Sequence, residues 1–222
     1  MSRRASQQIP WKSAGRVSEQ LSSGDDVVRS TGWVFNNETG RDLTLAEFVR
    51  TGDNEVPVYL DVFGLRGEHT QSQTLIEIGS GIGRMTCAFT REFGSVIACD
   101  LDQGFLERCY ETVGKFGRVE RLRTLEVADG RSLNIEAGSA DVAFSYITLQ
   151  HCTPDDALDL AGEAARVVGP GGTIALNFRG PRGSDVFLVP AGKLVRALYR
   201  VPVVGRWATR RRRLTRLAWQ VS

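Results

Sequence analysis

With 222 residues, 41% hydrophobic and 24% charged, the chain has room for one α/β domain with appendages, and its composition excludes a disordered polymer or a membrane bundle. Its formal net charge of +2 conceals an asymmetry: nine basic residues from Lys193 to Arg216 follow Asp185, the last acidic one, and the rest of the chain carries 19 basic against 26 acidic residues. Cys87, Cys99, Cys109 and Cys152 lack C-x-x-C spacing and read as reduced thiols, the N-terminus lacks an apolar signal core, and no apolar run approaches the length of a membrane span, so a cytoplasmic chain is expected.

Residues 1–56 combine turn formers such as SSGDD and NNETG with scattered apolar residues, and predict a helical and loop segment that covers a pocket as a lid, with Trp11, Trp33 and Phe35 as candidate apolar walls. TLAEFVR at 44–50 and EVPVYLDVFGL at 55–65 show helical apolar spacing, and the second is expected to pack on a sheet. Strand-length apolar runs then alternate with helical stretches. The expected strands are 74–79, 95–100, 123–128, 140–147 and 173–178, and the expected helices are 83–93, 103–116 and 154–168, with GPGGT at 169–173 as a tight turn feeding the last strand. This alternation predicts a three-layer, Rossmann-like α/β core over residues 57–182 with a mainly parallel sheet, whose ligands bind beyond the carboxyl ends of the strands. Residues 183–222 read as a basic helical segment, with helices near 185–200 and 206–219; the remaining LAWQVS begins a further strand or leads elsewhere.

Glu77, Gly79, Gly81 and Gly83 form E-x-G-x-G-x-G between a strand and a helix. Glycines there allow positive φ and close approach of the backbone to a ligand. The dinucleotide pattern G-x-G-x-x-G is absent, because Arg84 stands where its third glycine would be and Thr86 ends the alternative frame. Asp100 follows at the end of the second strand, at the distance expected of a carboxylate that hydrogen-bonds ribose hydroxyls. Asp102, two residues on, reads as a helix cap.

The glycine loop resembles the first motif of class I S-adenosylmethionine (SAM)-dependent methyltransferases. Residues 55–180 resemble the small-molecule type 11 group, whose strand, LHH-like exit, helix and RVLKPGG element match DVAFSYITLQHC at 141–152 and Arg166-Val-Val-Gly-Pro-Gly-Gly172. The resemblance implies SAM as cofactor, held by Glu77, Gly79, Ser80, Gly81 and Gly83 at its amino-acid end and by Asp100 at the ribose. Leu101 would pack on adenine, and Asp129 with Gly130 would read its amino group. At the exit of the fourth strand Tyr146 is a candidate cofactor-binding residue, and Gln150 and His151 are candidates for the substrate pocket. His151 is a candidate general base for an oxygen acceptor, with cofactor lining or helix capping as its other readings.

Catechol-type enzymes place carboxylates at that exit, whereas this chain has Ser145, Tyr146, Ile147 and Thr148, so no metal is expected. The D/N-P-P-Y signature of nucleic-acid amino-methyltransferases is missing. The resulting expectation is methyl transfer to oxygen or nitrogen of a small molecule. A second reading is a non-catalytic module that binds nucleic acid, an anionic membrane surface or a protein partner through the basic tail. A third, aminopropyl transfer, lacks the acidic pocket residues that would hold a polyamine. The family's antiparallel edge after the fifth strand is expected to be degenerate or missing.

Overall fold

In the computed structural model, which describes residues 23–28 and 43–178 with Gly180 and Pro190, Thr44 starts the first long helix, α1 (Leu45–Val62). The Thr44 hydroxyl accepts from the Glu47 amide at 3.3 Å, while the Thr44 amide donates to the Glu47 carboxylate at 2.8 Å. This reciprocal pair satisfies donors that the first turn leaves open. The two helices expected at 44–50 and 55–65 are thus one, and the expected lid boundary between residues 56 and 57 lies inside it. Thr51-Gly-Asp-Asn reads as a turn in sequence, yet Gly52 is a packing glycine: a Cβ there would lie 2.1 Å from the Arg84 carbonyl oxygen. Trp11, Trp33, Phe35 and the proposed tail helices lie outside the described residues.

Five strands follow, β1 (Thr74–Ile78), β2 (Ser95–Asp100), β3 (Leu122–Glu126), β4 (Ala140–Ser145) and β5 (Val168–Leu176), in the spatial order β3-β2-β1-β4-β5. Every pairing is parallel. The helices α2 (Thr86–Glu92), α3 (Gln103–Phe116) and α4 (Pro154–Val167) make the crossovers. Side chains alternate along each strand, so Leu75, Val96 and Val142 pack with Val56 and Leu60 of α1 and Phe89 of α2, whereas Ile76, Ile97 and Ala143 pack with Leu160 and Ala164 of α4. The result is the expected three-layer Rossmann-like α/β fold.

Element ends depart from the sequence reading for local reasons. The expected helix at 83–93 starts only at Thr86, because Gly83 sits at φ 93°, outside helical geometry. The expected strand at 140–147 ends at Ser145, because Ile147 turns the chain at φ 64°. The GPGGT turn is absorbed into β5: Ala140 pairs with Val168 and Val142 with Thr173, so Gly169 to Gly172 form a bulge, with Gly171 at φ 83°. Asp102 caps α3 as expected, accepting from the Phe105 amide at 3.2 Å, and Thr153 caps α4 by accepting from the Asp156 amide at 3.2 Å.

The four cysteines are free. Burial pushes the Cys87 and Cys99 thiols up to about 12 and Cys152 to about 11, which makes them poor nucleophiles. No helix of the described residues is long and apolar enough to cross a membrane.

Candidate functional site

The strand order reverses between β1 and β4, so the carboxyl ends of these neighbours lie at the switch point where open α/β sheets bind their ligands. Gly79, Gly81 and Gly83 carry φ of 85°, 55° and 93°, so the three expected glycines all use the left-handed freedom that their residue type provides. The loop is tied down from below: the amides of Gly79 and Ser80 donate to the Cys99 carbonyl at 2.7 and 3.0 Å. Asp100, at the end of β2, accepts from the Gly81 amide at 2.9 Å on one oxygen and from the Asp102 amide at 3.1 Å on the other. Burial raises its carboxyl to about 6, against the lowering effect of those amides. Leu101 follows, half-buried.

Glu77 sits under the loop. Its side chain is buried with 4% exposure and accepts from the Thr86 hydroxyl at 2.6 Å, so it joins the strand to the first turn of α2. Burial raises its carboxyl to about 7, while the Thr86 hydrogen bond and the Arg84 charge oppose the rise. Beyond Thr86 the Cys109 thiol donates to the same hydroxyl at 3.6 Å, and a Cβ on Gly83 would lie 3.2 Å from that sulfur. Ser80 is buried in the loop itself.

The exit of β4 forms the opposite wall. Ser145 ties the two strands by donating to the Ile78 carbonyl at 2.9 Å. Thr148 presses on the loop so closely that a Cβ on Gly79 would lie 2.0 Å from its hydroxyl oxygen. Between them, Ile147 adopts φ 64°, a strained conformation for a β-branched residue. Ile147→Asn is expected to relieve that strain and raise the midpoint of thermal unfolding by about 3 °C; a fall on calorimetry would show that Ile147 is not strained.

Gln150 and His151 lie in the short turn Leu149–His151, with the Gln150 amide nitrogen 3.4 Å from His151 Nε2. Asp129 is exposed and engaged locally, accepting from the amides of Arg131 and Ser132 at 2.8 and 2.9 Å and from the Ser132 hydroxyl at 2.7 Å. Gly130 shares that turn at φ 70°. No group of three or more His, Cys, Asp or Glu among the described residues is arranged to hold a metal ion.

Sequence reasoning passed over the third wall. Thr51, Glu55 and Tyr59 are spaced i, i+4, i+8 on α1, a periodicity that was visible in the sequence but broken by reading α1 as two helices. Glu55 pairs with Arg84 at 3.0 Å, Thr51 accepts from the same guanidinium nitrogen at 3.3 Å, and the Tyr59 ring lies 5.1 Å from that of Tyr146.

Residues 76–176 match a family model described as a methyltransferase domain. That match and the five-stranded parallel α/β fold both support a class I, SAM-dependent methyltransferase. A phosphoethanolamine N-methyltransferase of Triticum aestivum is 33% identical over 154 residues, 67% of this chain and 30% of that protein. A carboxy-S-adenosyl-L-methionine synthase of Pseudomonas fluorescens is 32% identical over 108 residues, 46% of this chain and 44% of that protein. The chain therefore spans less than half the length of these two relatives. Among solved structures, the YcgJ protein of Bacillus subtilis superposes with a TM-score of 0.53 at 19% identity, over 66% of this chain and 58% of that one, a likeness of fold. The matched stretch runs from the middle of β1 to the end of β5, and it contains the whole glycine loop, Asp100, Asp129 and the β4 exit, while α1 precedes it.

Proposed function

We propose that this chain transfers a methyl group from SAM to an oxygen or nitrogen of a small-molecule acceptor. The observation that carries the reading is the glycine loop: three left-handed glycines at the carboxyl end of β1, with the Gly81 amide held by Asp100, at the switch point of a methyltransferase domain. The loop would hold the amino-acid end of the cofactor, Asp100 the ribose, and Leu101 with Gly130 the adenine side of the crevice. Asp100 keeps lone pairs for ribose hydroxyls while it holds the loop.

When bound, SAM supplies an activated methyl group for in-line displacement, so the residues of this chain mainly orient the reactants and exclude water. Tyr146 lines the cofactor side and Gln150 the acceptor side, and His151 takes the proton of a hydroxyl acceptor; a neutral amine attacks without a base. The wheat relative, named for phosphoethanolamine, supports a small polar amine as one acceptor class. Free, unreactive cysteines support a reducing compartment such as the cytoplasm.

Calorimetric titration of SAM into the chain and its Asp100→Ala variant tests the assignment: the variant is expected to bind on the order of tenfold more weakly, the contribution of a hydrogen bond to a charged group. Unchanged affinity would remove Asp100 from the cofactor site. Incubating the wild type with methyl-labelled SAM and a panel of small amines and alcohols then identifies the acceptor by mass spectrometry. Tight SAM binding without any labelled product would favour the non-catalytic reading, in which the basic tail engages nucleic acid, a membrane surface or a protein.

A further inference from the structure

Arg84 is the residue that joins α1 to the crevice. It directly follows the last glycine of the loop, and although charged it is buried, with 7% exposure. Its carbonyl oxygen occupies the space that a side chain at Gly52 would need. Its Nη1 donates to Glu55 at 3.0 Å and to Thr51 at 3.3 Å, and its guanidinium carbon lies 6.0 Å from the centre of the Tyr146 ring, within cation–π range. Tyr146 in turn packs against Tyr59, which returns the circuit to α1, and burial together with the neighbouring Tyr146 hydroxyl raises the Tyr59 phenol well above its ordinary range. Three separate pieces of chain, α1, the glycine loop and the β4 exit, are closed into one ring of side chains.

Such a ring is worth more than its separate contacts, because each member limits the rotamers of the next. The weak point is Glu55. Among the described residues it is the one carboxylate that ion-pairs with Arg84, and its second oxygen is buried there without a hydrogen bond. Neutralising it leaves a buried guanidinium short of a counter-charge, and the side chain that lies over Tyr146 is then free to swing away.

We propose that Glu55 is a positioning residue of the cofactor crevice, acting through Arg84 on Tyr146. This rests on the functional reading above. Glu55 itself touches no reacting atom. Its effect is to hold the Tyr146 ring at the β4 exit against Arg84, which follows the glycine loop, so that this part of the site is shaped before ligand enters and little ordering is left for the binding step.

The test is a double-mutant cycle on the full chain with S-adenosylhomocysteine as the probe, titrated calorimetrically at a temperature where circular dichroism shows each variant folded. Glu55→Gln is expected to raise the Kd about tenfold, Tyr146→Leu to raise it at least as much, and the double variant to bind no worse than Tyr146→Leu alone. That non-additivity is the signature of action through Tyr146, and a role in stability alone would not produce it. Wild-type affinity in Glu55→Gln, or losses that multiply in the double variant, would overturn the proposal. Thr51→Val, which keeps the ion pair and removes one contact to Arg84, replaces Glu55→Gln in the cycle should the latter fail to fold, with an expected loss of about threefold. A wild-type chain that does not bind S-adenosylhomocysteine would sink the functional reading together with this inference, whereas an unaffected Glu55→Gln sinks this inference alone.

Discussion

Gly79→Ala is expected to abolish useful cofactor affinity, weakening S-adenosylhomocysteine binding at least about a hundredfold and lowering the unfolding midpoint by roughly 10 °C. Two costs combine at this position. A residue with a Cβ is disfavoured at φ 85°, and the added carbon would stand 2.0 Å from the Thr148 hydroxyl oxygen and 2.3 Å from its methyl group. Neither neighbour can yield cheaply, since Thr148 is fixed by the strained turn at Ile147 and Gly79 by the hydrogen bond its amide donates to the Cys99 carbonyl. The loop must therefore move, and the loop is the cofactor site. Gly171→Ala is the matched control: it shares a positive φ of 83° in the β5 bulge but meets nothing within 4 Å, so it should cost only about 1 kcal/mol and leave ligand affinity unchanged. Equal affinity losses in the two variants would show that backbone strain, and not the closeness of Thr148 to the loop, governs the site.

Glu77 gives the second large effect, on the pH dependence of stability. In the folded ligand-free chain its carboxyl is raised to about 7 from an ordinary 4.5, first by burial. Between those values the folded state holds a proton that the unfolded state has released, so stability falls as pH rises through this window and the full loss is present above pH 7. The size is about 3 kcal/mol at ~1.36 kcal/mol per tenfold change in proton activity. Asp100, raised to about 6, adds a loss of the same sign at somewhat lower pH. Glu77→Gln keeps an acceptor for the Thr86 hydroxyl and removes the titration, so urea denaturation at pH 5 and pH 8 should show a markedly flatter dependence than wild type. Parallel pH profiles would mean that Glu77 stays ionised under the loop.

Gly79, Gly81, Gly83 and Asp100 were legible because their chemistry is local: a strand, three residues that tolerate positive φ, and a carboxylate one strand later at a fixed spacing. The cap Asp102 was legible in kind, since it satisfies an amide within the first turn of its own helix, and the structure adds Thr44 and Thr153 in the same role. Glu77 stands out in the sequence as part of the loop motif, but its contact is with Thr86, so it braces the loop from below. Asp129 likewise engages its own turn through three hydrogen bonds. The Thr51, Glu55 and Tyr59 face was hidden because Gly52 falls in the gap between the two expected helices, and only the neighbouring Arg84 carbonyl explains why a glycine is needed there.

By itself the sequence determined the layered α/β class, the strands and their order along the chain, the glycine loop and the carboxylate that follows it. These depend on periodicity and on φ preferences, which each residue carries wherever it is placed. The tertiary structure decided what borders that loop: the joining of α1 into one helix, the strain at Ile147 that ends β4, and the ring from Glu55 through Arg84 and Tyr146 to Tyr59. Those features are agreements between residues far apart in sequence, where packing and paired charge outweigh local propensity, so they exist only once the sheet has brought the three segments together.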